Sequence, residues 1–326
     1  MQDVPSPSHP SSSDRFEALA HRLLARYGSE PEHASRPEHS WSNEVWLGQT
    51  AVVRISRTVD GSLGREASLV SLLPPDVGYP KVLGQDVTEG LEWMVTERLH
   101  GANLEVAWPT LDRTAREGAV TDLWARLEAV HRTDVAAARA IGGAATPFYA
   151  LHEADARKLL DWLLHNEAIE PTLHSRLDAV LSRMFQAVSD VPTVLSHTDA
   201  GPHNTVWDGT NAVPVDFEFA CPAPADLDLE NVLRTLSFQA GDNPAVALLE
   251  RASGLMALPG AETRLWGYAV LRDLWGLRKW MQQARAARGL DGDGGGAEIP
   301  DLQTWAPLLH LRRHAECTSW LGALLC

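Results

Sequence analysis

Residues 195–218 read L-S-H-T-D-A-G-P-H-N-T-V-W-D-G-T-N-A-V-P-V-D-F-E, an H-x-D-x4-N segment followed twelve residues later by D-F-E. Moving a phosphoryl group onto a hydroxyl asks little covalent help of a protein. It needs a carboxylate beside the attacking oxygen and oxygen ligands that hold magnesium on a triphosphate. The segment supplies these parts in order. Asp199 would orient the hydroxyl and take its proton. Asn204, through its amide oxygen, and Asp216, through its carboxylate, would bind the metal. Glu218, two residues on, would face the substrate or the outer coordination sphere of the metal, or only brace the loop.

Such groups need rigid supports. The apolar runs Val194–Ser196 and Val213–Val215 each predict a short strand that ends where a polar residue is required. His203 is expected to be a solvent-exposed turn residue. Asp228 precedes a helix expected to begin at Leu229, so it should cap that helix and anchor the loop.

The rest of the chain divides by periodicity. A helix is predicted over 14–28, from an Asp14 cap to Gly28. WSNEVWLG and TAVVRIS form a hairpin, and 61–74 a helix stopped by Pro74–Pro75. KVLGQDV and EWMVTERL pair about Glu89–Gly90. Alternation along V-V-R-I puts Arg54 among buried neighbours, which favours a paired cation, and Glu66 on the following helix is its candidate partner. After Gly101 the pattern is helical: 111–132, one or two helices over 153–189, then 228–240, 262–285 and a last helix over 301–324. Residues 289–296 (GLDGDGGG) read as a mobile surface loop. The expected organisation is a disordered Pro/Ser leader (1–13), a small β-rich lobe (14–97) and a mainly helical lobe (98–326).

Composition limits the function classes. The 28 Lys and Arg against 43 Asp and Glu give a net charge of −15, which argues against a nucleic-acid surface; the acidity would attract a cationic ligand, but from charge alone keeping the protein soluble is the favoured reading. No apolar run approaches the length of a membrane span, and the first residues lack the features of a secretory signal, so a cytoplasmic chain is expected. Cys221, Cys317 and Cys326 show no metal-ligand spacing. Twelve tryptophans are many for 326 residues. Core packing is the default for Trp266, Tyr268 and Trp275 on the 262–285 helix, with Trp275 a candidate wall for a bound substrate and Asp273 a candidate partner for its cationic group.

Taken together, these residues resemble the aminoglycoside phosphotransferase/choline kinase superfamily. Its signature is an H-G-D-x4-N loop, a D-[FW]-[ED] segment and a proline followed by Asp-Leu, here His197–Asn204, Asp216–Glu218 and Pro224 with Asp228–Leu229. Thr198 stands where Gly is commoner, and the resemblance gives His197 a structural role, holding the loop by hydrogen bonds rather than doing chemistry. The resemblance implies an α+β, protein-kinase-like, two-lobed fold and an ATP- or GTP-dependent, magnesium-requiring enzyme. It places Arg54 on the nucleotide phosphates and Glu66 as its partner. Ser42 and Asn43 take the place of a Gly-rich phosphate loop, and Thr96, Glu97, Arg98 and Leu99 resemble the segment whose backbone meets the adenine edge. L-W-A-R-L-E-A-V-H (123–131) resembles the family's helix ending in Leu-His. The resemblance spans most of 38–283.

The acceptor stays open. An aminoglycoside-like antibiotic leads. An amino alcohol such as choline or ethanolamine follows, suggested by D-F-E-F and D-L-D-L-E-N, and sugars or homoserine remain. A catalytically inactive nucleotide-binding relative is disfavoured because Asp199, Asn204 and Asp216 are all intact. A protein kinase proper is disfavoured by the lack of G-x-G-x-x-G and of an A-P-E segment. Neither the oligomeric state nor the preference between ATP and GTP is legible.

Overall fold

Helix α1 (Ser12–Arg26) presents Leu19, Ala20, Leu23 and Leu24 at helical spacing, and all four are buried against an antiparallel sheet. The computed structural model describes residues 12–37, 43–143, 148–241, 243–286 and 301–325. The sheet contains β1 (Asn43–Leu47), β2 (Ala51–Ser56), β3 (Val82–Thr88) and β4 (Leu91–Glu97) in the order β1-β2-β4-β3. Period-two alternation turns Ala51, Val53 and Ile55 of β2 and Leu91, Trp93 and Val95 of β4 towards α1. Fully burying each leucine of α1 is worth about 1.5–3 kcal/mol, so this face is the main support of the small unit.

The other face of the sheet carries the polar chemistry. Arg54 lies opposite Met94 in the β2–β4 register. Helix α2 (Ser62–Val70) follows, and its N-terminus is held by a buried carboxylate from the sheet. Glu92 accepts from the backbone N–H of Gly61 (3.1 Å) and of Gly64 (2.8 Å). A negative group there meets unsatisfied donors and the positive end of the helix, which sets where Glu66 falls.

Residues up to Ser71 together with Tyr79–His100 form this first compact unit, and Leu72–Gly78 with the chain from Gly101 onwards form a second. The second contains β5 (Ala102–Asn103), α3 (Leu104–Ala107), α4 (Arg113–Val130), α5 (Val135–Ile141), α6 (Glu153–His165) and α7 (Pro171–Ala187). After these come β6 (Thr193–Ser196), β7 (Thr205–Trp207), β8 (Ala212–Pro214), β9 (Cys221–Pro224) and α8 (Asp226–Ser237). It closes with α9 (Ala245–Arg251), α10 (Ser253–Met256), α11 (Ala261–Ala286), α12 (Ala306–Ala315) and α13 (Trp320–Leu325). Strands β5, β7 and β8 make one sheet and β6 with β9 a two-stranded ladder. Gly101, at φ 127°, lets β5 approach β7, because a Cβ there would lie 2.4 Å from the Trp207 carbonyl oxygen.

Several boundaries differ from expectation. Helix α1 begins at Ser12, two residues before Asp14. Helix α8 begins at Asp226, so Asp228 sits inside its first turn and is not its cap. The last expected helix is two helices, because Cys317 adopts a left-handed φ of 56° and the Thr318 N–H returns to the Arg313 carbonyl. That is a Schellman-type ending made without the usual glycine. Glu167, at φ 56°, divides 153–189 in the same way, with the Ala168 N–H returning to Leu163. Ser42, the 289–296 stretch and Cys326 lie outside the described residues.

Candidate active site

The candidate catalytic segment hangs between two short ladders. Strand β6 ends at Ser196, which pairs with Cys221 of β9, and the chain then turns through residues 197–204 into β7. Asp228, completely buried, organises the turn. Its carboxylate accepts from Ser196 Oγ (2.8 Å), the backbone N–H of His197 (3.0 Å) and of Thr198 (2.8 Å), and lies 2.9 Å from His131 Nε2. Burial works to raise the Asp228 carboxyl, but the hydrogen bond and charge of His131 outweigh it and hold the group below its ordinary value.

Thr198 sits at φ 63°, a region that a β-branched residue rarely enters. Its backbone N–H is bound by Asp228 and its hydroxyl donates to the Phe219 carbonyl at 2.9 Å. Asn231 Nδ2 donates to its carbonyl oxygen. A glycine would adopt this φ without strain, which explains the commoner residue; here three hydrogen bonds hold a threonine in the same shape.

His197 is buried and ties the two polar loops together. Its Nε2 donates to the Val215 carbonyl at 3.0 Å, leaving Nδ1 to face the Asp199 amide at 3.4 Å. The Val215 N–H donates to the Asn204 carbonyl at 2.9 Å. Asn204 lies in a tight turn, Pro202–Asn204, and its Nδ2 donates to the Asp199 carbonyl oxygen (3.0 Å) and to Asp199 Oδ2 (3.1 Å). With the amide nitrogen so engaged, the amide oxygen is directed away from Asp199. Asp216 follows β8 at φ 68°, again left-handed, and leads into Phe217, whose ring packs 4.4 Å from His197. Glu218 is half-buried in the same turn.

The surroundings of Asp199 were only partly legible. His203 Nε2 lies 3.6 Å from Asp199 Oδ1 and Arg272 Nη2 lies 3.3 Å from the same oxygen. His203 therefore faces the carboxylate instead of simply pointing to solvent as a turn residue. Burial tends to raise the Asp199 carboxyl; the His203 hydrogen bond and then the Arg272 charge outweigh it and keep the group below its ordinary value. Arg272 was missed because it lies 73 residues away in sequence, on α11. Of the other expected substrate residues, Trp275 lies within 5.0 Å of the Arg272 guanidinium, whereas Asp273 is buried and held by His314 (3.1 Å) and His310 (3.5 Å). Trp266 packs edge-on against His314, and Tyr268 is buried with its hydroxyl on Asp226.

In the first unit Arg54 Nη1 lies 2.7 Å from both oxygens of Glu66, which is completely buried and also accepts from Tyr79 Oη at 3.2 Å. The expected pair is formed. Along the segment ending β4, the Glu97 N–H donates to the Lys81 carbonyl and the Arg98 N–H to Thr50, while Arg98 Nη1 reaches the Gly48 carbonyl at 2.6 Å. Thr96 is buried and Leu99 half-buried. Asn43 opens β1, paired with Ser56.

No curated protein sequence matches the chain. Among solved structures it is similar to the GDP complex of wild-type aminoglycoside 2'-phosphotransferase-IIIa, with a TM-score of 0.70 and 14% identity over 94% of this chain and 99% of that one. It is similar also to a choline/ethanolamine kinase family protein from Mesorhizobium loti, with a TM-score of 0.66 and 18% identity over 96% and 98%. A third is macrolide 2'-phosphotransferase MphH from Brachybacterium faecium, with a TM-score of 0.57 and 20% identity over 87% and 98%. These likenesses establish the α+β, protein-kinase-like fold. Residues 33–274, which include Arg54, Asp199, Asn204, Asp216 and Arg272, match the phosphotransferase enzyme family, and the chain belongs to that family.

Proposed function

We propose that this phosphotransferase moves the γ-phosphoryl group of ATP or GTP onto a hydroxyl of a small molecule, with Asp199 as the base. The observation that carries the reading is the Asn204 amide bound to Asp199 Oδ2, which joins the candidate base to the candidate metal ligand in one turn. In the reaction the acceptor oxygen forms a bond to the γ-phosphorus as the bond to the β-phosphate oxygen breaks. The leaving oxygen keeps the electron pair and the hydroxyl proton passes to Asp199. Asp199 is suited to this because its neighbours keep it ionised, while Asn204 and the turn fix its direction.

The donors present fit magnesium. One amide oxygen, from Asn204, and one carboxylate, from Asp216, are few ligands, as expected of an ion that takes its remaining oxygens from phosphate and water. Bound there, the ion would neutralise charge on the phosphates. In the first unit Arg54, oriented by Glu66, would reach phosphate oxygens, with Ser42 and Asn43 as further donors. The Glu97 and Arg98 amides already donate within the sheet, so the base of the nucleotide would meet carbonyls of the 96–99 segment or Leu99.

An aminoglycoside-like acceptor is supported by likeness to enzymes bound to kanamycin and gentamicin. One observation favours a second reading, an acceptor without positive charge: the guanidinium of Arg272 stands beside the base. The test is nucleotide consumption by the purified protein with magnesium against aminoglycosides, amino alcohols, sugars and hydroxy acids. No consumption with any acceptor, from a protein that Mg-ATP still stabilises, would leave a binding protein and remove the enzyme reading.

A further inference from the structure

Arg272 is held in an unusual setting for a surface-rich residue type. Its guanidinium lies 3.8 Å from the centre of the Phe148 ring and 5.0 Å from that of Trp275, and Phe148 itself packs on Phe219 at 4.0 Å. The aromatic faces fix the guanidinium while one nitrogen meets Asp199. Its Nη1 is buried and, among the described residues, has no hydrogen-bond partner. Burial, and then the charge of Arg234 on the neighbouring helix α8, lower the Arg272 pKa.

Arg234 Nη2 donates to Asn231 Oδ1 at 2.8 Å. Its side chain is 12% exposed, its Nε has no hydrogen-bond partner among the described residues, and its nearest carboxylate oxygen, on Glu230, is 3.7 Å away. Glu230 is completely buried, accepts from Tyr149 Oη at 3.1 Å, and is pushed up to about 7 mainly by burial. Burial therefore weakens its charge near neutral pH. Asp273, the other acid of the cluster, is committed to His310 and His314. Arg272 thus meets Asp199, and Arg234 lies beside a partly neutralised Glu230, although the whole chain carries −15. A polycation entering here would meet like charge where carboxylates are needed, and the buried unpaired N–H groups cost stability until an acceptor atom meets them.

Building on the phosphotransfer reading, we propose that Arg272 and Arg234 select an acceptor that carries a carboxylate near the hydroxyl presented to Asp199. The class is a hydroxy acid, a hydroxy amino acid or a sugar acid. The planar guanidinium fork suits a carboxylate, and a site built for such a group discriminates strongly against an analogue that lacks it. Arg272 would then serve twice, orienting Asp199 and binding the acceptor.

The test uses the full chain with Mg-ATP and Mg-GTP and acceptors matched except for charge: glucose, glucosamine, gluconate and glucose 6-phosphate, with homoserine, homoserine amide and kanamycin. Turnover is expected with gluconate or homoserine, at a kcat/KM at least about tenfold above the neutral analogue. Arg272→Gln, and independently Arg234→Gln, should reduce that acid-to-neutral ratio at least tenfold, through KM for the acid. Arg272→Lys should restore part of it. The ratio is read, and not kcat alone, because a purely structural role or the loss of Asp199 orientation lowers both acceptors alike. Best turnover with kanamycin, glucosamine or a neutral compound overturns the proposal while leaving phosphotransfer intact. Best turnover with glucose 6-phosphate assigns the pair to a phosphate and overturns the carboxylate. No turnover with any class fails the phosphotransfer reading itself, and the acceptor assignment falls with it.

Discussion

The backbone N–H of Thr198 donates to Asp228 Oδ1 at 2.8 Å, tying a left-handed residue of the catalytic loop to the first turn of a helix thirty residues away. The bond fixes the backbone that leads into Asp199, the proposed base. Removing the buried carboxylate leaves two amides, a hydroxyl and an imidazole without their acceptor. Asp228→Ala should therefore lose about 3–5 kcal/mol of stability, measured by denaturant unfolding. The sign with pH follows from the depressed folded pKa. The contribution of Asp228 is complete above the unfolded value near 3.9 and disappears as pH falls through the lower folded value. Below about pH 4 the stability of Asp228→Ala should accordingly fall less steeply than that of wild type.

Thr198 separates backbone strain from hydrogen bonding. Thr198→Gly relieves the left-handed φ but loses the bond to Phe219, so stability should change by no more than about 1 kcal/mol. Thr198→Val keeps the strain, leaves the Phe219 carbonyl unpaired and should cost about 1–3 kcal/mol. Equal melting temperatures for the two variants would contradict the arrangement.

Asp199→Ala should fold and bind Mg-nucleotide, because Asn204 and Asp216 remain, while kcat drops by about 10²–10⁴. A folded variant with full activity would remove Asp199 from the role of base. The acid limb of the wild-type kcat/KM profile should lie below the ordinary carboxyl value of 3.8, since His203 and Arg272 favour the ionised form. His203→Ala removes one of these and should move the limb upwards.

Asp216→Asn and Asn204→Ala should each weaken Mg-nucleotide binding, the first more, because it removes a formal charge from the ion's ligands. Calorimetric titration with Mg-ATP checks this. Unchanged affinity in both would sink the metal assignment.

Arg54 and Glu66 make two separable contributions. Arg54→Ala strands a buried carboxylate and should cost about 3–5 kcal/mol, whereas the double change Arg54→Met with Glu66→Leu should recover most of that stability. Nucleotide KM should not recover with it, and should remain at least about tenfold raised if Arg54 meets phosphate. Recovery of both would make the pair a packing feature only.

Much of the candidate site's layout could be read from the chain because its residues are local in sequence. His197, Asp199 and Asn204 lie within one turn, Asp216 follows a short apolar run, and Arg54 is singled out by alternation along β2. The strand pairs of the first unit are legible for the same reason, since hairpin neighbours are neighbours in sequence. Helix endings at Glu167 and Cys317 were not, because left-handed caps made by residues other than glycine carry no compositional mark. Nor was the charge around Asp199. The sequence as a whole is acidic, yet long-range packing sets Arg272 of α11 beside Asp199 and Arg234 of α8 close to Arg272, and it commits Asp273 to His310 and His314. Residue types and spacing determined that a phosphoryl group could be moved. Which charges surround Asp199 was decided by the tertiary structure, because electrostatic fields depend on distance in space and on burial, and neither is a function of position along the chain.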